Sequence, residues 1–407
     1  MPNRSPARIG LALAGGGPLG AVYEIGALCA LDEALEGLAF TELDCYVGVS
    51  AGGFIAAGLA NGITPRELCA AFIENDGEED DVFRPSLLLR PAWREIASRL
   101  ASVPGLTAQA AYRYAFKRRS LIGAFERLGR ALPTGLFTNA PLEAQLRRVF
   151  SAPGRTNDFR QLKHKLVLVA TDLDSGQAAP FGQPGWDHVP ISRAVQASAA
   201  LPGLFPPVRI DGHDYVDGAL KKTLHARVLL DEGMDLLLCI NPLVPFNAKD
   251  PDEHRVLGAA HERIPRMVEG GLPVVLSQTF RSLIHSRLEL GMKGYERSHP
   301  GVDIVLLEPD QHDPEMFLTN TFSISQRRHL AEHAYQRTRE LLRSRRSSLR
   351  AKLERHGVTI NDAVLDDLGR KLVSKRPVPR LRFGRALKRL EGVLNDLEQA
   401  LPALGSA

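Results

Sequence analysis

The sequence predicts an α/β protein of three layers, with a mainly parallel central sheet, a helical insertion and a helical C-terminal appendage. Three observations carry that expectation. Short apolar runs of strand length recur at 9–14, 43–47, 166–170, 208–210, 236–240 and 302–307. The first run opens onto a glycine-rich loop and a helix over about 21–35, and the second onto a tight turn and a small-residue helix over 51–59. Together these form a βαβ-like opening, although periodicity by itself does not set strand order. Further on, the texture changes twice, once inside the chain and once near its end.

The inner change covers about 76–138. It begins with Glu78-Glu79-Asp80-Asp81 and passes into helical, basic sequence holding Tyr112, Tyr114, Phe116, Lys117, Arg118, Arg119 and Phe125. Two uses are open: a cap that touches anionic lipid head groups through its cations, or a helical insertion packing its aromatics on the core. The outer change starts near 326, which divides the chain into a catalytic part, 1–325, and a helical part, 326–407. Arg343, Arg345, Arg346 and Arg350 cluster there, and Gly357 reads as a helix stop. Over 381–401, Phe383, Leu387, Leu390, Leu394, Leu397 and Leu401 alternate in steps of four and three, the spacing of a coiled-coil seam. The seam is short, so docking on the protein's own surface is favoured over a homo-oligomer formed through this helix.

Composition bounds the function classes. With 407 residues, 44% of them hydrophobic, the chain buries a substantial core. None of its apolar runs approaches the roughly 20 residues that cross a bilayer. The first residues lead into a strand with no apolar leader, so the expectation is a cytoplasmic protein, with peripheral membrane contact through the cations above. A net charge of +4 is modest for this length and argues against a nucleic-acid partner. Cys29, Cys45, Cys69 and Cys239 lie scattered in apolar surroundings, without metal-ligand spacing, and read as core thiols. Neither a metal nor a cofactor is expected.

Chemistry concentrates in three places. Gly48-Val49-Ser50-Ala51-Gly52 has the form of a nucleophile elbow, in which flanking glycines let a strained strand-to-helix turn lift the serine hydroxyl clear of the sheet. Ser50 is therefore the candidate nucleophile. Gly15-Gly16-Gly17-Pro18-Leu19-Gly20 also satisfies the glycine spacing of a dinucleotide-binding turn, but that reading wants an acid at the end of the second strand, where Gly48-Val49-Ser50 stands instead. The same glycines expose backbone N–H groups at a helix start, suited to a developing oxyanion. Gly16 and Gly17 are the best donors, and Gly15 and Gly20 allow the turn. A base is harder to place: His164, His188, His213 and His225 are not excluded by position, and Asp217-Gly218-Ala219 offers an aspartate at a strand-to-helix turn. Asp172 and Asp174 read as turn residues.

These blocks, with Ala170-Thr171-Asp172-Leu173-Asp174-Ser175-Gly176 and Ala197-Ser198-Ala199-Ala200-Leu201-Pro202-Gly203-Leu204-Phe205-Pro206-Pro207, resemble the patatin-like phospholipases over roughly 9–243. The resemblance implies the patatin-like form of the three-layer fold and a Ser-Asp dyad in which Ser50 attacks and Asp217 is its base. Gly15, Gly16 and Gly17 would form the oxyanion hole, and Gly20, Gly48, Gly52, Gly218 and Ala219 would complete the motifs. It also implies a lipid ester substrate, cleaved through an acyl-serine intermediate with no metal. The segment 198–207 reads as scaffold, its prolines fixing the turn that returns the Asp217 loop to the serine. One departure stands out: the family's loop commonly carries Arg or Lys where this chain has Leu19, which puts the preference for substrate charge in question. Two rival readings stay open, a catalytically weak or inactive protein of this fold acting in lipid-surface binding or assembly, and a different serine esterase or thioesterase that uses a histidine.

Overall fold

A computed structural model describes residues 6–76, 85–117, 131–247, 256–257, 262–263, 267–318 and 324–373. Eight strands form one sheet: β1 (Ile9–Leu13), β2 (Cys45–Gly48), β3 (Lys165–Asp172), β4 (Ala178–Phe181), β5 (Val208–Ile210), β6 (His213–Asp217), β7 (Leu236–Ile240) and β8 (Asp303–Leu307). Their order is β8-β7-β1-β2-β3-β6-β5, with β4 pairing β3. The β8, β7, β1, β2 and β3 pairings are parallel, while β4, β5 and β6 run antiparallel at one side. The expected α/β sheet is present, and every sequence-predicted strand lies in it. Sequence reading passed over β4, which contains Pro180, and gave β6, which begins His213-Asp214, no bounds beyond a strand ending at the Asp217 turn.

The principal helices are α1 (Gly17–Ala34), α2 (Ser50–Ala60), α3 (Trp93–Lys117), α4 (Ala140–Phe150), α5 (Ile191–Ser198), α6 (Gly271–Ser298) and α7 (Ile324–Ser344). Helix α1 starts four residues before the expected Ala21, since Pro18 is well tolerated in a first turn that has no intrahelical acceptor for its N–H. It is buried around most of its circumference, packed closely against α7. A Cβ on Gly26 would stand 2.6 Å from the Ala331 carbonyl oxygen, so the two helix backbones touch at this point.

That packing places the expected boundary near 325 inside a single unit that runs to Leu372. Arg327 and Arg339, both on α7, are buried. Arg339 donates to the carbonyls of Val364 (2.6 Å) and Asp367 (2.7 Å) and stacks over the Tyr335 ring. The arginine cluster is likewise engaged within the chain. Arg343 donates to the Leu365 carbonyl, Arg350 pairs with Asp362, and Arg346 pairs with Asp362 and Asp366. The second unit, Val373–Ala407, contains the seam 381–401, which lies outside the described residues, as do Glu78-Glu79-Asp80-Asp81, Arg118, Arg119 and Phe125. Of the insertion, α3 is described as a helix, and the returning strand-like segment bonds to the loop after α5 through Leu136 N–H to Gly203 O (3.2 Å) and Phe137 N–H to Leu204 O (2.9 Å). The four cysteines are buried free thiols. No helix among the described residues is long and apolar enough to cross a membrane.

Glu24 sits fully buried on α1, both carboxylate oxygens without a hydrogen-bond partner; the Ala14 amide that approaches it donates instead to the Ile240 carbonyl (3.1 Å). Burial drives its pKa well above the ordinary carboxylate value. Folding therefore takes up a proton at this site, so stability is greatest below the unfolded-state pKa and declines as pH rises above it. Glu24→Gln is expected to raise the melting temperature at about pH 8, by the equivalent of roughly 1–3 kcal/mol, and to change it little at about pH 4. Thermal melts of both proteins across that range check this, and a larger gain in acid than in alkali would refute it.

Candidate active site

Three loops meet where the C-terminal ends of β1 and β2 face the turn after β6. Ser50 opens α2 with a φ of 52°, the left-handed conformation that an elbow requires and a side chain resists. Two bonds hold the strained turn against the end of β1: Val49 N–H to Leu13 O (3.2 Å) and Gly52 N–H to Ala14 O (3.1 Å). The approach is close enough that a Cβ on Gly52 would lie 2.4 Å from the Ala14 oxygen, so this position admits only glycine. Gly48 abuts Gly53 with similar tightness.

Asp217 ends β6. Its own N–H bonds to Ala200 O (3.0 Å), and its Oδ1 accepts from the Ala219 N–H (2.8 Å) across a short helical turn. Gly218 backs onto β3, where a Cβ would stand 2.2 Å from the Val169 oxygen. The carboxylate is buried, and the Ser50 hydroxyl lies beside it. Burial lifts its pKa to about 6, while the Ala219 amide and the Ser50 hydroxyl hold it lower than burial alone would.

The glycine loop closes the third side. A Cβ on Gly15 would meet the Cβ atoms of Ala219 (3.0 Å) and Ser50 (3.2 Å), so loop, elbow and aspartate turn converge at one point. Gly16 and Gly20 pack on Pro242. Among the described residues, the amide N–H groups of Gly15, Gly16, Gly17 and Ala51 have no hydrogen-bond partner. The starts of α1 and α2 carry no side-chain cap either, which leaves two positive helix ends directed into one small volume. Anion stabilisation is what such an arrangement can supply.

The sequence-predicted residues Ser50, Asp217, Gly15, Gly16, Gly17, Gly20, Gly48, Gly52, Gly218 and Ala219 are thus brought together. The four candidate histidines are not: His164 bonds to Glu42 (3.0 Å), His188 to Asp211 (2.7 Å) and His213 pairs with Asp172 (3.2 Å), while the Nε2 of half-buried His225 has no hydrogen-bond partner among the described residues. Asp172 accepts from the amides of Asp174 (3.0 Å) and Ser175 (2.9 Å), the turn role its position implied.

Two residues escaped the sequence reading. Ala51 adds a free amide next to the serine, which the elbow geometry itself allows one to anticipate. Ser198 has no such signal. Its hydroxyl accepts the Ser50 N–H (2.8 Å) and donates to Val169 O (2.6 Å), tying the strained elbow to the strand against which Gly218 also rests. Ser198→Ala leaves both buried groups unpaired, so it is expected to cost roughly 2–4 kcal/mol of stability and to lower kcat about tenfold or more while KM changes little. Steady-state kinetics on the folded variant would decide it, and unchanged kcat would dismiss a positioning role.

The sequence profile of the patatin-like phospholipases matches residues 11–230, more than half of the chain. The chain belongs to the patatin-like phospholipase family. Among solved structures it is similar to VipD from Legionella pneumophila, at 15% identity, with 84% of this chain and 67% of that chain covered and a TM-score of 0.36. ExoU from the type III secretion system of Pseudomonas aeruginosa, solved with SpcU, aligns at 17% identity over 84% of this chain with a TM-score of 0.31. The chain spans about half the length of ExoU, 53% of it. The patatin-like profile takes in Ser50 and Asp217 and the amides of Gly15–Gly17, and it stops short of α6 and α7.

Proposed function

We propose that this patatin-like protein is a serine acyl hydrolase that cleaves ester-linked fatty acyl chains of phospholipids or lysophospholipids with a Ser50–Asp217 dyad. Family membership supports a lipid hydrolase. The observation that carries the finer reading is the convergence of glycine loop, elbow and aspartate turn, where a Cβ on Gly15 would meet Ser50 (3.2 Å) and Ala219 (3.0 Å) and where the Ser50 hydroxyl lies beside a buried carboxylate that burial lifts to about 6. A carboxylate in water is too weak a base for a serine; one lifted by burial, still ionised at neutral pH, is better matched to the task.

In this mechanism Asp217 takes the Ser50 proton as Oγ attacks the ester carbonyl. The oxyanion that forms is held by unpartnered amides at Gly15, Gly16, Gly17 and Ala51, each such donor being worth roughly 3–4 kcal/mol in the transition state. The alcohol leaves with the proton from Asp217, and the acyl group stays on Ser50. Water then repeats the sequence with Asp217 again as base, releasing the fatty acid. No step needs a metal or a cofactor.

Peripheral contact with a lipid surface is part of the proposal. Trp93, Leu132 and Leu136 of the insertion and Leu201 after α5 are exposed beside the loop that positions Asp217. Docking of the 381–401 helix on the protein's own surface, favoured over a homo-oligomer through it, remains an expectation of the sequence alone. The deciding experiment is turnover of a short aryl ester and of a lysophospholipid by the purified full chain. Release of the fatty acid and a transient acyl mass on Ser50 are expected; no turnover of either ester, with vesicles present, would favour the binding or assembly reading.

A further inference from the structure

Helix α2 carries the nucleophile at its first residue and is buried along its length except at Ala51 and Phe54, one turn apart. The open strip of this helix therefore starts at the elbow and runs away from it, with Phe54 and Gly58 four and eight residues beyond Ser50 on one side. That side borders a pocket of about 270 Å³ enclosed by α2, the turn Cys69–Glu74 and α4. Phe54 and Gly58 form the α2 wall, Ala71 and Phe72 the second and Val149 and Phe150 the third. The Phe54 and Phe72 rings stand 5.7 Å apart where the first two walls meet. At the opposite end Arg155 closes the pocket, donating to Val149 O (3.4 Å), and its neighbour Thr156 bonds to Asn61, the last turn of α2, through N–H to Oδ1 (2.8 Å). The pocket thus extends along α2 from one turn past Ser50 to the helix's far end.

Its chemistry and size suit a hydrocarbon chain. The lining is largely apolar, and its two carboxylates, Glu67 and Asp76, are on exposed residues, with Glu67 turned to the Thr64 N–H and hydroxyl (2.8 Å each). A cavity of about 150 Å³ takes a six-carbon ring, so this one has room for roughly ten carbons. The helical turn between Ser50 and Phe54 rises about 5.4 Å, the reach of roughly four more. The second wall is a π-helical turn that Asn75 ends in the left-handed conformation, with a φ of 56°. Turns of this width are rare and recur at functional sites.

Resting on the acyl-hydrolase reading, we infer that the pocket between α2, the 69–74 turn and α4 holds the acyl chain of the ester at Ser50 and sets a preference for chains of roughly twelve to fourteen carbons. The test compares p-nitrophenyl butanoate with p-nitrophenyl dodecanoate, which share the reacting ester and differ in chain, both kept below their aggregation concentrations. In the parent, kcat/KM is expected to favour the dodecanoate about a hundredfold or more, because each methylene taken from water adds to binding, and to gain nothing beyond roughly fourteen carbons. Val149→Phe on α4 and Ala71→Leu on the π-helical turn fill the pocket without changing charge, and each is expected to lower the dodecanoate-to-butanoate ratio about tenfold or more. Val149→Ala enlarges the pocket and is expected to move the preferred chain length up, which keeps the test decisive where a filling variant fails to fold.

A chain-length profile that none of the three variants alters, with both esters still turned over, overturns the inference and leaves the hydrolase reading intact. Free dodecanoate that binds the parent and not Val149→Phe, together with an unchanged ratio, would make the pocket a fatty-acid site separate from Ser50 and overturn it as well. If the parent hydrolyses neither ester, the hydrolase reading fails and the pocket is read by binding. An ether-linked dodecyl lysophosphatidylcholine is then titrated calorimetrically into the parent and Val149→Phe; affinity at least tenfold weaker in the variant supports a chain-binding pocket, and equal affinity rejects it.

Discussion

Ser50→Ala is expected to reduce ester turnover by on the order of 10⁴-fold or more while the protein stays folded. The side chain contributes one hydroxyl, beside the Asp217 carboxylate, and the surrounding backbone is tied by bonds that alanine keeps: Ser50 N–H to Ser198 Oγ and Gly52 N–H to Ala14 O. Alanine also keeps the strained φ of 52°, so the elbow geometry is retained and the loss is chemical. The residual rate should reflect the unpartnered amides acting on bound ester alone. Intact-mass measurement after mixing with an activated ester is the sharpest readout, because the parent should carry one acyl group and the variant none. Turnover in Ser50→Ala within tenfold of the parent would remove Ser50 from the mechanism.

Asp217→Asn should cost a similar share of turnover, on the order of 10³-fold or more, and also change stability in a direction that exposes the strain of the site. Asp217 has its folded-state pKa raised to about 6. Its ionised form is therefore disfavoured in the folded protein, and stability declines as pH rises from the unfolded carboxylate value through about 6. Asparagine removes that penalty and keeps an oxygen for the Ala219 amide. The variant is expected to gain up to roughly 3 kcal/mol at about pH 8 and nothing near pH 3, read from denaturant unfolding at each pH. In the parent, kcat/KM should fall about tenfold per unit below pH 6, as the base becomes protonated. A variant that kept its activity, or a parent profile flat to pH 4, would point to a different base.

Much of the site was legible locally because its chemistry depends on short backbone motifs. An elbow needs small residues within two positions of the serine, and Gly48, Ser50 and Gly52 state that directly. The amide cluster needs glycines at a helix start, which Gly15–Gly17 supply. Asp217 was weaker evidence: Asp-Gly is an ordinary turn, and its role came into view only through resemblance, before the buried carboxylate and its Ser50 contact were seen. Ser198 was invisible in the same way. It reaches Ser50 across 148 positions of sequence, and a hydrogen bond between residues so distant leaves no local pattern.

The arginine-rich stretch after residue 325 shows the limit from the other side. As sequence, Arg343, Arg346 and Arg350 look like a free cationic face; folded, they bind Asp362, Asp366 and the Leu365 carbonyl. Charge content is a property of composition, but which charges are neutralised depends on what the fold brings within a few ångströms. By itself the sequence determined the α/β class, the elbow serine and the glycine loop, because each is written in residues that are neighbours along the chain. Only the tertiary structure decided the burial that lifts Asp217, the Ser198 tether and the pairing of the arginine cluster, because desolvation and ion pairing arise between segments that meet only when the sheet is assembled.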